Sequence, residues 1–177
     1  HAFLLAWSLI RSDRTSEAVE LIPSVRTAQH VPEDYQQLTL GELLVENGQF
    51  VDATRILGEI EASSPVYARA MLVAANAYHR TGATSRSIET WESIIDRPHP
   101  AAGSEIALMA LAEKRGIRTT AAYPYLRTLW AHYPTSEQAR ESASALAHLE
   151  NGGNEFEPTL EEIAYRGEAL MNVGHYR

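Results

Sequence analysis

A glycine returns at a fixed interval in this chain: Gly48, Gly82 and Gly116 stand 34 residues apart, each between two segments of apolar periodicity. Self-similarity at a period of about 20 to 50 residues marks chains whose units cannot bury an apolar face alone and do so by stacking on their neighbours. Around the first glycine the order is Leu40-Gly41, Leu44, Gly48, Phe50, Ala53, Leu57, Ile60, Pro65. Three- and four-residue steps on both sides of the glycine predict two amphipathic helices joined by a turn. Met71, Ala74, Ala75 and Tyr78 then repeat the places of Gln37, Leu40, Gly41 and Leu44, so small residues recur where two helices approach most closely.

The period, the small or apolar pair on the first helix, the turn glycine, the aromatic, the alanine and the terminating proline together resemble the tetratricopeptide repeat. That resemblance implies an all-α fold, a right-handed α-solenoid of antiparallel helix hairpins forming one superhelical domain over 1–177. Its units are expected at about 1–30, 33–63, 65–97, 101–133, then 135–150 and a truncated unit at 158–177. Within them, helices are predicted over 3–10, 16–25, 34–46, 49–61, 66–79, 85–96, 104–114, 119–132 and 137–149, with a last helix opened by Pro158-Thr159. Pro124 is tolerable only in the first turn of its helix. Asn151-Gly152-Gly153-Asn154-Glu155 reads as a turn, and Arg97-Pro98-His99-Pro100 as a stop. Trp7, Trp91 and Trp130 fall where bulky core residues are expected.

Composition narrows the function classes. Hydrophobic residues make up 45% of the 177, enough for a core, and no run approaches the roughly 18 apolar residues of a membrane helix. A formal charge of −8 argues against nucleic acid as partner, whose phosphates require a positive footprint. Zero cysteines rule out disulfides and thiolate metal sites while suiting cytosol and periplasm equally. The chain opens on His1 without a basic leader, and its last ten residues, EALMNVGHYR, carry a turn glycine and aromatic with no second helix after them. A fragment of a longer chain is therefore expected.

A narrower resemblance covers Tyr125 to Arg177. The run YLRTLWAHYPTSEQARESASALAHL, a loop, then PTLEEIAYRGEALMNVGHYR is similar to the end of the helical superhelix in bacterial soluble lytic transglycosylases. Trp130, Tyr133-Pro134, the alanine-rich stretch from Ala139 to Leu146, and Arg166 with Leu170 carry the likeness. It implies a periplasmic or envelope location and a scaffold that positions a catalytic domain on peptidoglycan. The family's catalytic signature, a Glu-Ser ahead of a Gly-Leu-Met-Gln element, is absent; Glu92-Ser93 and Glu141-Ser142 copy the dipeptide alone. Both glutamates are expected on solvated helix faces, and this segment is expected to be non-catalytic, without cofactor.

Other chemistry finds no spacing to support it. None of the seven histidines forms a His-x-x-x-His pair, so no metal site is expected. Gly152-Gly153 lacks the lysine and hydroxyl of a phosphate-binding loop. What remains is binding of protein or peptide partners, or of peptidoglycan through a parent protein. By the tetratricopeptide resemblance, the first helix of each hairpin lines a concave groove. Its candidate contacts on the third unit are Arg69, Asn76, His79 and Arg80. Asn76 matches the asparagine of peptide-clamping members, while Leu72 stands where those members carry a base. Two roles stay open for this face, a site for a peptide carboxylate and a solvated surface. Glu42, Glu46 and Glu113 would make the groove mixed in sign. A free-standing adaptor is the alternative to the cell-wall scaffold.

Overall fold

The computed structural model describes residues 2–28, 30–96, 103–151 and 156–174. Regular structure among them is entirely helical. The chain divides into two compact units, 1–90 and 91–177.

The first unit contains α1 (Ala2–Arg11), α2 (Thr15–Ala18), a 3-10 turn (Val19–Leu21), α3 (Ile22–Arg26), α4 (Glu33–Glu46), α5 (Phe50–Leu57), α6 (Tyr67–Arg80) and the start of α7 (Thr84–Ile95). The single helix expected over 16–25 is broken in two. Pro23 has no N–H to give to the preceding turn, so the backbone tightens into the 3-10 turn and starts again with Pro23 in the first turn of α3.

The hairpin of α4 and α5 is closed by Gly48. Its φ of +74° is a left-handed conformation open to glycine at little cost. The Gly48 N–H donates to the Val45 carbonyl and the Gln49 N–H to the Leu44 carbonyl, at 3.1 and 2.8 Å. This is the paired bonding of a Schellman helix stop. Gly82 repeats it, with φ +77° and the Ala83 N–H on the Tyr78 carbonyl at 2.9 Å. The 34-residue recurrence is, at these two sites, a recurring way of ending a helix.

Gly41 is a close approach within the hairpin: a Cβ there would lie 2.4 Å from Leu57 Cδ2. Leu57 is fully buried, with Ala53 and Ile56 on the same face of α5. α5 ends at Leu57 rather than at 61, because Gly58 and the turn after it interrupt the helix, although Ile60 remains buried. α6 then packs beside both α4 and α5, through buried Ala70, Ala74, Ala75 and Ala77. Ahead of α6, the Ser64 hydroxyl donates to the Asp34 carboxylate at 2.6 Å and accepts from the Val66 N–H, which ties this turn to the start of α4.

The second unit holds the end of α7, then α8 (Ser104–Lys114), a 3-10 turn (Thr120–Ala122), α9 (Tyr123–His132), α10 (Glu137–Asn151) and α11 (Leu160–Gly174). Pro124 lies in the first turn of α9, where its missing N–H breaks no bond. α8 and α9 pair, α10 packs on both, and α11 packs on α9. Leu126, Leu146 and Leu149 belong to one buried apolar cluster, and Leu108, Met109 and Leu129 form another. Ile106 is exposed, as is Trp7, for which a core position is expected, whereas Trp91 is buried. The proline run at 97–100 and the glycine link at 152–155 lie outside the described residues. Among the described residues no helix is long and apolar enough to cross a membrane.

Candidate functional site

The four side chains singled out on α6 share one face, since 69 and 76 are two turns apart and 79 and 80 lie a turn further on. The structure gives them different employment. Arg69 donates to the Glu42 carboxylate of α4 at 2.6 Å. The Glu42 side chain is only 9% exposed and that of Arg69 42%. Burial pushes the Glu42 carboxyl above the ordinary carboxylate range, with Arg69 acting against the shift. Arg69 is thus a brace between α4 and α6. Arg80 turns the other way: its guanidinium carbon lies 4.8 Å from the centroid of Phe50 at the start of α5, a cation–π contact. Asn76 and His79 sit on the exposed surface of α6. Of the expected constellation, Arg69 and Arg80 tie α6 to α4 and α5, and Asn76 and His79 are exposed.

Beside the start of α4 lies a hollow of about 450 Å³ lined by Glu33, Asp34, Gln37, Glu59 and Glu61. Its carboxylates make this edge of the unit unsuited to an anionic ligand.

A denser polar cluster, not anticipated as a unit, joins α9 to α11. Arg127 forms a fork onto Glu162, with its Nε 2.7 Å from Oε1, and its guanidinium lies over the rings of Tyr123 and Phe156. Glu162 also accepts from the Thr159 N–H at 2.7 Å, while the Thr159 hydroxyl accepts from the Glu162 N–H. That reciprocal pair is a capping box, and Thr159-x-x-Glu162 after Pro158 is its sequence signal. Hydrogen bonding from Arg127, helped by Thr159, lowers the Glu162 pKa to about 2. One turn on, Arg166 donates to the Trp130 carbonyl and lies 4.5 Å from the centroid of that ring. Phe156 packs edge-on against both Tyr123 and Trp130. His132 stacks on Tyr165 at 4.4 Å between centroids, and burial holds its pKa below the usual histidine value. This cluster fixes a helix; its charged groups face one another rather than a cavity.

Glu92 lies 3.8 Å from Arg115 with its side chain 45% exposed, and Glu141 is exposed on α10. Neither has the enclosed surroundings that raise the pKa of a catalytic acid. Among the described residues no group of three or more histidine, aspartate or glutamate side chains is placed to hold a metal ion. Comparison with protein-family models, with curated proteins and with solved structures finds no match to this chain.

Proposed function

We propose that this chain is a non-catalytic scaffold: a right-handed solenoid of tetratricopeptide-like hairpins that serves a larger envelope protein as the arm of a peptidoglycan lytic transglycosylase. The observation that carries this reading is the pairing of Trp130 with Arg166. These residues, 36 apart, were singled out by resemblance to that family's superhelix, and they meet through both a hydrogen bond and a cation–π contact. Arg69 and Arg80, which a peptide clamp would aim at its ligand, are instead engaged with Glu42 and Phe50. That supports a structural arm over a peptide-clamping adaptor.

The adaptor remains the second reading, favoured by Asn76 and His79 standing exposed on one face of α6. One experiment separates the two: sedimentation of the protein with purified peptidoglycan, beside affinity capture from envelope extract by the parent and by Asn76→Ala/Arg80→Ala. A structural arm predicts the same captured set for both proteins, with or without wall binding. Partners lost in the double variant would establish the adaptor and overturn the arm.

A further inference from the structure

Apart from Val51 and Ile106, the large apolar side chains exposed to solvent among the described residues gather on two helices: Leu4, Leu5 and Trp7 on α1, and Leu160, Ile163, Tyr165, Leu170 and Met171 on α11. The amphipathicity of α11 is inverted. Glu162 and Arg166 face α9, while Leu160, Ile163, Ala164, Gly167, Leu170 and Met171 follow each other at three- and four-residue steps along the exposed side. Such a stripe is uncommon on the free surface of a soluble chain and marks a contact face.

The hairpin of α4 and α5 shows what the stripe accommodates. Gly41 and Leu44 recur in α11 as Gly167 and Leu170, at the same spacing. At Gly41 the space an added Cβ would enter is filled by Leu57, whereas at Gly167 no atom lies within 4 Å. Gly167 is a seat of the same kind, open, and it suits a helix carrying an exposed leucine.

Charge selects the occupant. α11 carries Glu161 and Glu168 on its exposed side, and its arginine is turned inward to Trp130. Two copies of α11 laid antiparallel about Gly167 would bring Glu168 against Glu168. α1 has no acidic residue, displays Leu4 and Leu5, and ends in exposed Arg11, whose guanidinium lies over Trp7. We propose that the α11 stripe of one copy receives α1 of a second copy. The contact is heterologous: each copy offers α1 to the stripe of a neighbour and its own stripe to the α1 of a neighbour.

Sedimentation equilibrium of the 177-residue chain tests this with two variants, Leu4→Asp/Leu5→Asp and Leu170→Asp/Met171→Asp. The parent is expected to show a weight-average mass rising from 19.6 kDa to at least about twofold that value as concentration increases. Each variant alone stays monomeric. Their equimolar mixture restores one intact contact and stops at the dimer. Gly167→Leu, which enters open space and adds no charge, lowers the association constant at least about tenfold, and circular dichroism verifies that every variant folds. A parent that stays monomeric, a mixture that stays monomeric, or a Leu4→Asp/Leu5→Asp protein that associates as the parent does would each overturn the proposal. The last result would point to pairing between α11 helices.

Discussion

Thr39 lies fully buried in α4, and its hydroxyl has no hydrogen-bond partner among the described residues. A buried donor without a partner loses its water and gains nothing in return. Thr39→Val keeps the branched shape and removes the hydroxyl, so it should raise stability by about 1 kcal/mol, read as a shift in the denaturant midpoint. Glu42 is the opposite case, a buried group that has its partner and still carries a desolvation penalty. Its folded pKa is raised above the unfolded value. The stabilisation linked to its proton is therefore complete below the unfolded pKa and disappears as pH rises through the folded one. Glu42→Gln should flatten that part of the stability profile and leave the protein at pH 7 within about 1 kcal/mol of the parent. Arg69→Ala strands the carboxylate and should destabilise by about 2 kcal/mol. Chemical denaturation across pH decides the matter; a Glu42→Gln protein as unstable as Arg69→Ala would show the ion pair to be a net stabiliser.

At the scale of elements, α11 is held by charge and ring contacts more than by apolar burial. Arg127, Glu162, Thr159 and Arg166 make the joint, and Leu160, Leu170 and Met171 remain outside it. Glu162 has its pKa lowered from 4.5 to about 2, so its contribution is whole above pH 4.5 and is lost as pH falls through 2. Allowing for solvent screening, the joint is worth about 2 kcal/mol. Glu162→Gln should speed amide exchange throughout 160–174 while α8 and α9 keep their protection. Equal protection in parent and variant would mean that packing alone holds the helix. The ends of most elements were legible in the sequence because glycine and proline set them: α4, α6 and α8 begin and end within a residue of the periodic segments. Pro23 was legible in the same way, yet the apolar rhythm around it suggested one continuous helix. The orientation of α11 was not legible. Periodicity finds the apolar stripe, while the partners that hold the opposite face of the helix, Arg127 and Trp130, stand 35 and 36 residues away. For the same reason Arg69 was recognised as a candidate while its pairing with Glu42, 27 residues off, was not.

In the whole molecule, left-handed glycines end α4 and α6, and in the first of these hairpins the return helix α5 settles on a small residue of α4. Gly41 with Leu57 is the closed form, and Gly167 in α11 is the same seat without an occupant. In this account the apolar stripe of α11 is completed by α1 of another copy. Paired thermal melts of Gly41→Ala and Gly167→Ala, at a protein concentration low enough to keep the chain monomeric, test this most directly. Gly41→Ala drives a methyl into Leu57 and should destabilise by about 2 kcal/mol. Gly167→Ala gains helix propensity in open space and should be neutral or stabilising by up to about 1 kcal/mol. Equal losses in the two proteins would mean that Gly167 is already covered, and would contradict the account of α11 as an open hairpin half.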